Sequence, residues 1–297
     1  MGGALRSQDD VELLCGLVTQ GQTVEIRRNA AAALEQNELA VTEALLGGLL
    51  DQSVDNRGDV GSWVRKQCLE TLIVLFGSDN TLLARIATEH GSDVVMVLLG
   101  RTLRATTEKL DKVRARAGEL LEALLYGDDT AENPAVAIDL PSLLQESKTE
   151  EEEICSEGTN WADPEMAYAQ VVHALSVSDQ RIRQPLFEGL VVTGSTEPLG
   201  KFAVNAVSLY ADTLPPPPNE VSSATKSSIG ENGAADATAS GQDDSRAEQW
   251  NVDGVINELT RLLLTDRRTS KVINPALIVA DQLVEQGALA SASPERQ

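Results

Sequence analysis

The residues that could do chemistry in this chain are few. His90 and His173 are the only histidines. Neither has Cys, His or carboxylates at a ligand spacing, so a zinc cluster or a nucleophile–histidine–acid triad has nothing to build on, and both read as surface or satisfied helix histidines. Cys15, Cys68 and Cys155 are odd in number and far apart, with no C-x-x-C pair; that pattern fits packed thiols in a reducing compartment. No G-x-x-x-x-G-K-[ST] loop is present, and "GSTEPLG" (Gly194 to Gly200) lacks the Lys and the preceding strand that phosphate binding needs. It reads as an inter-helix turn in which Ser195 or Thr196 caps the following helix. Acid runs such as Glu150 to Glu153 read as solvated faces, because paired carboxylates do general acid/base work only inside a pocket. These residues lead us to expect a protein that is not an enzyme and uses no cofactor and no metal.

Two features remain that could serve recognition. "DNRGDVGSWVRK" (Asp55 to Lys66) contains Arg57-Gly58-Asp59, the tripeptide of adhesion signals. Its surroundings read instead as a helix entrance: Gly58 and Gly61 flank a turn, and Asp59 or Ser62 can accept from the first free N–H groups. From there Val60, Val64, Cys68 and Leu72 run down one helical stripe, Trp63 is expected to pack in the helix pair, and Arg65 and Lys66 are expected to turn away. The second feature is a recurring arginine, at Arg27, Arg65, Arg114 and Arg183. It could form a basic stripe for a partner, or a ladder in which each Arg bridges to acids or carbonyls of the neighbouring repeat; the ladder is the stronger reading. The candidate partner-binding residues are Arg57, Asp59, Arg65, Lys66 and Arg114.

The elements that must position them are repeats. "IRRNAAAAL", "VRKQCLETL", "VRARAGELL" and "IRQPLFEGL" begin at Ile26, Val64, Val113 and Ile182. Each places apolar or small residues at i, i+4 and i+8, one face of a helix, with Arg beside that face. The first two intervals bracket the roughly 40 to 47 residues of HEAT and armadillo repeats, and the third is long enough for an insertion. Partner helices are expected near 9–20, 38–50, 92–108 and 163–176, and further helical spacing covers Asn80 to His90 and Glu197 to Leu214. The fold class is therefore all-α, a HEAT/armadillo-like helical repeat solenoid. We expect helical repeats over 1–146, an acidic loop over 147–160, repeats again over 161–214, a disordered Pro/Ser/Gly/Asp-rich insertion over 215–247, a C-terminal helical pair over 248–289 that caps the array, and a tail over 290–297.

Composition agrees. The 297 residues are 42% apolar but only 3% aromatic, so Leu, Ala and Val must build the core, which suits closely approaching helices. A formal net charge of -22 repels nucleic acid and anionic lipid surfaces. Acids at Asp9 and Asp10 replace the apolar core of a signal peptide, Arg6 stands where myristoylation needs Ser or Thr, and no apolar run approaches the roughly 18 residues of a membrane span. A cytosolic protein with no membrane insertion is expected.

"RGDVGSWVRK" (Arg57 to Lys66) resembles the signature of tubulin-folding cofactor D, the tubulin-specific chaperone D family, in its C-terminal region. "EKLDKVRARAGELLEALL" (Glu108 to Leu125), the run from Asn160 to Gly200 and the closing "TDRRTSKVINPALIVADQLVEQG" (Thr265 to Gly287) agree in order. The resemblance implies a non-enzymatic helical-repeat scaffold, cytoplasmic and cytoskeleton-associated. It would bind β-tubulin after chaperonin release and act on the αβ heterodimer with sister cofactors C and E. Tubulin's own GTP hydrolysis would be stimulated by that assembly, under regulation by an Arf-like small GTPase. It also implies a longer protein with a large N-terminal repeat array, of which this chain would be the C-terminal portion. Where the family tends to read "VVSVGGL", this chain has "VVTGSTEPLG" (Val191 to Gly200). The alternative is a generic HEAT-repeat adaptor without tubulin activity.

Overall fold

A computed structural model of the protein describes residues 7–34, 39–78, 81–126, 159–214, 251–264, 270–290 and 292. The expected acidic loop, apart from its last two residues, and the expected 215–247 insertion lie outside them. The described residues form twelve α-helices: α1 (Gln8–Gln20), α2 (Val24–Ala32), α3 (Leu39–Gly48), α4 (Gly61–Ser78), α5 (Leu82–His90), α6 (Ser92–Thr106), α7 (Asp111–Tyr126), α8 (Pro164–Val171), α9 (Gln180–Gly194), α10 (Gly200–Thr213), α11 (Val252–Leu264) and α12 (Ser270–Glu285). A 3₁₀ turn, Val172–Ser176, follows α8. There is no strand among the described residues; an isolated bridge joins Asp55 and Gly58.

Local chemistry sets the helix starts. Ser7 and Asp10 form a reciprocal capping box on α1, Thr23 accepts from the Ile26 N–H of α2, and Asp163 and Asp179 accept from the first turns of α8 and α9. Each such cap satisfies an N–H with no intrahelical partner and contributes about 1 kcal/mol.

The first three signature helices stack in order, α2 on α4 and α4 on α7, while α1 packs on α2 and α3, and α6 packs on α7. Their stripes are buried as the spacing requires: Ala30 and Leu34; Val64, Cys68 and Leu72; Val113, Ala117 and Leu121. Ile26 departs from the pattern and is 40% exposed, its place in the first turn of α2 being taken by buried Val24. The protein is an all-α helical-repeat solenoid.

The fourth signature helix does not continue that row. Its stripe, Ile182, Leu186 and Leu190, is fully buried, but α9 lies along α6 and packs further on α10 and α12. The reason is steric. A Cβ at Gly100 of α6 would stand 1.9 Å from the Arg181 carbonyl oxygen of α9, and one at Gly189 of α9 would stand 2.2 Å from Thr107 Oγ1. Only glycine at the crossing permits this approach. The C-terminal helices pack on each other, and α12 lies against α9 and α10. Val272, Ala276, Val279 and Leu283 face inward, while Leu277, Ile278 and Val284 are exposed.

Candidate functional site

The loop between α3 and α4, with the first turns of α4, carries four of the five candidate residues. Asp55 and Gly58 exchange two main-chain hydrogen bonds of 3.0 Å, and Gly58 adopts φ +100°, which favours glycine. Asp55 accepts from the Arg57 N–H at 2.7 Å and from its guanidinium at 2.6 Å, while Arg57 Nη1 reaches Glu25 of α2 at 2.7 Å. The Arg57 guanidinium carbon also lies 4.8 Å from the centroid of the Trp63 ring. These bonds hold the Glu25 and Asp55 carboxyls below their usual range and push the Arg57 guanidinium up.

Asp59 faces the other way. It accepts from the Ser62 N–H at 3.2 Å, so it is the cap of α4, and from Arg65 Nη2 at 2.9 Å. Arg57 and Asp59 therefore present no joint surface of the kind an adhesion receptor reads.

Three of the four recurring arginines, Arg27, Arg65 and Arg114, are struts. Arg27 donates to the Gly21 carbonyl at 2.8 Å, to Asp51 at 2.6 Å and to Ser53 Oγ at 2.7 Å. Arg65 donates to Asp59, to the Asp51 carbonyl and to Glu108 Oε2 at 3.2 Å; its Nε lies 2.9 Å from Glu108 Oε1 without aiming its N–H there. Arg114 donates to the Glu108 carbonyl at 2.7 Å, to the Trp161 carbonyl at 2.9 Å and to the Ala162 carbonyl. In each case one partner lies six residues back, in the loop entering the helix, and another in the loop of the following repeat. The repeated Arg thus fixes the register of one repeat on the next through charge-assisted bonds.

Burial sets the electrostatics of these struts. It would push the Arg65 guanidinium down, but the carboxylates of Glu108 and Asp59 reverse it and hold it up. Asp51 is likewise opposed by its burial, yet Ser53 and Arg27 bring its carboxyl below the usual 3.8. Cys68 is pushed well above the usual thiol range, by burial and then by the charge of Asp51; this is a packed thiol and not a nucleophile.

Arg65 and Arg114 are 4% and 2% exposed. Both candidate partner contacts are thus placed inside the repeat stack, and Arg65 does not turn away, since its guanidinium bonds Asp59, Asp51 and Glu108 there. Trp63 is corrected in the opposite sense. It is 37% exposed and, with Arg28, Lys66, Gln67 and Glu70, lines a shallow groove of about 280 Å³. Lys66 faces outward, as expected, and reaches Glu70 at 2.6 Å. Ser195 and Thr196 do not cap the next helix; their hydroxyls donate back to Val192 and Thr193 carbonyls at the end of α9.

Among the described residues the buried tryptophan is Trp161, whose ring rests on α7 with its indole nitrogen 2.7 Å from Glu122 Oε1. His173 sits edge-on to the Tyr210 ring, and His90 is a half-exposed residue at the end of α5. Among the described residues no group of three or more His, Cys, Asp or Glu could hold a metal ion, and no helix is long and apolar enough to cross a membrane. What the arrangement offers is a rigid helical array with an outward Arg57–Trp63–Lys66 face.

Fold and surface together define a helical-repeat protein whose recurring polar residues hold repeats in register. Residues 97–232 match the family model described as tubulin folding cofactor D C terminal. That segment runs from within α6 to beyond α10, and it is what the chain has in common with the C-terminal region of tubulin folding cofactor D. No solved structure matches the chain.

Proposed function

We propose that the chain is a non-enzymatic scaffold that binds β-tubulin in post-chaperonin folding and in assembly and disassembly of the αβ heterodimer. It contributes, with sister cofactors C and E and an Arf-like small GTPase, to activating GTP hydrolysis by tubulin itself. The work is cytoplasmic and cytoskeleton-associated. The observation that carries this reading is the match of residues 97–232 to the tubulin folding cofactor D C-terminal family. Physical support comes from the array itself, because stacked repeats hold a large partner on an extended surface without a pocket. On the outward face, Trp63 stacked with Arg57 is an aromatic–arginine pair of the kind enriched in interface hot spots, and Lys66 lies beside it.

Immobilised chain incubated with cytosol is expected to enrich β-tubulin and the Arf-like GTPase, and Arg57→Ala/Trp63→Ala to enrich both less. Enrichment of neither by the unaltered chain would leave the generic adaptor reading in its place.

A further inference from the structure

A second groove, of about 550 Å³, opens between α6, α9 and α11, and its lining runs against the charge of the molecule. The chain has 46 acidic and 24 basic residues, yet four arginines, Arg101, Arg104, Arg181 and Arg261, line this groove with one carboxylate, Glu188. Three of the four are engaged: Arg104 with Glu188 at 3.3 Å, Arg181 with Asp179 at 2.6 Å and with Asp93, and Arg261 with Glu258 at 2.5 Å. No carboxylate pairs with Arg101 among the described residues, and the like charge of Arg104 acts on it. Burial and then Arg104 push its guanidinium down, so an anion placed there relieves both.

We propose that this groove is a binding site for an acidic peptide segment, with Arg101 receiving a carboxylate. A peptide fits better than a small inorganic anion because the groove is larger than one ion and continues past the charges over Leu50 and Pro185. Gln184 Nε2 bonds Gln180 Oε1 at 3.4 Å, leaving the Gln180 amide N–H₂ as donor and Gln184 Oε1 as acceptor, the complement of a peptide main chain. A nucleic acid suits it less, since its charge continues beyond the groove over a chain of net charge -22, whereas a short acidic segment can confine its carboxylates to the arginines. The inference is independent of the tubulin reading.

The test is fluorescence anisotropy of a labelled oligoglutamate peptide titrated with the full chain, with oligoglutamine, inorganic phosphate and a single-stranded oligonucleotide as comparisons. Oligoglutamate should bind, weaken as salt shortens the screening length from about 10 Å toward about 3 Å, and bind about tenfold less tightly to Arg101→Gln. Arg101→Gln breaks no bond and should melt with the unaltered chain. Arg181→Gln, at the exposed rim, is the second variant, and weakening by either supports the site. Equal affinity of both variants and the unaltered chain, absence of oligoglutamate binding, or tighter binding of phosphate or the oligonucleotide would each overturn it.

Discussion

Replacing Arg114 with methionine keeps most of the aliphatic stem but deletes a guanidinium that is 2% exposed. Three carbonyls lose a charged donor: Glu108 at 2.7 Å, Trp161 at 2.9 Å, and Ala162. The Glu108 carbonyl keeps a long contact of 3.4 Å from the Tyr168 hydroxyl, so the Trp161 and Ala162 carbonyls bear most of the loss. A charge-assisted bond contributes about 1.5–3 kcal/mol net, and a buried acceptor left empty costs about 1–3 kcal/mol. Relief of the buried cation's desolvation offsets part of this, so two emptied acceptors leave a net loss of about 2–5 kcal/mol. Against a total stability of about 5–15 kcal/mol, that is a large fraction. Equilibrium urea unfolding should show it as a midpoint lowered by on the order of 1–2 M. Arg114→Lys keeps the charge but not the fork, and should fall between the two. Because the strut joins α7 to the loop before α8, amide exchange in Pro164–Val171 should accelerate ahead of the rest. A loss below about 1 kcal/mol, or faster exchange spread evenly over the array, would refute the strut.

Gly100→Ala drives a methyl group to 1.9 Å from a main-chain oxygen of α9, so the helices must part; thermal unfolding should register about 1–3 kcal/mol of destabilisation, and an unchanged melting temperature would contradict the close crossing. Trp63→Ala, in contrast, should cost only about 0.5–1 kcal/mol, the scale of its contact with Arg57; a loss of several kcal/mol would return Trp63 to the core. Asp51→Asn tests the first strut through pH. The folded carboxyl titrates below its usual 3.8, so its contribution is fully present above that value and is lost as pH falls through the folded value. The stability gap between the unaltered chain and the variant should therefore be constant near neutrality and shrink on acidification below about pH 4; a gap that widens instead would contradict the assignment.

The stripes were legible because periodicity is a property of one helix: Val64, Cys68 and Leu72 needed only their spacing to be placed inside. The ladder reading of the arginines was legible for the same reason, since an identical offset in successive repeats implies an identical partner position. Where α9 sits was not, because that depends on Gly100 and Gly189 meeting across two helices far apart in sequence. Trp63 and Trp161 exchanged roles. Trp63 is one residue from the stripe, close enough for hydropathy to pull it inward, yet it stands under Arg57. Trp161 follows an acidic run with no periodicity to mark it. The available signal was Gly118 in the middle of α7, where an added Cβ would stand 2.0 Å from the Trp161 ring. The arginine groove draws on α6, α9 and α11, and no single stretch of sequence displays it.

Sedimentation velocity of the purified chain with fluorescently labelled αβ-tubulin tests the central claim most directly. The account predicts that tubulin shifts to a faster boundary in proportion to added chain, and that Arg57→Ala/Trp63→Ala reduces the shift. Tubulin that sediments unchanged at chain concentrations on the order of ten micromolar, where an affinity of about -7 kcal/mol would already be visible, would contradict it.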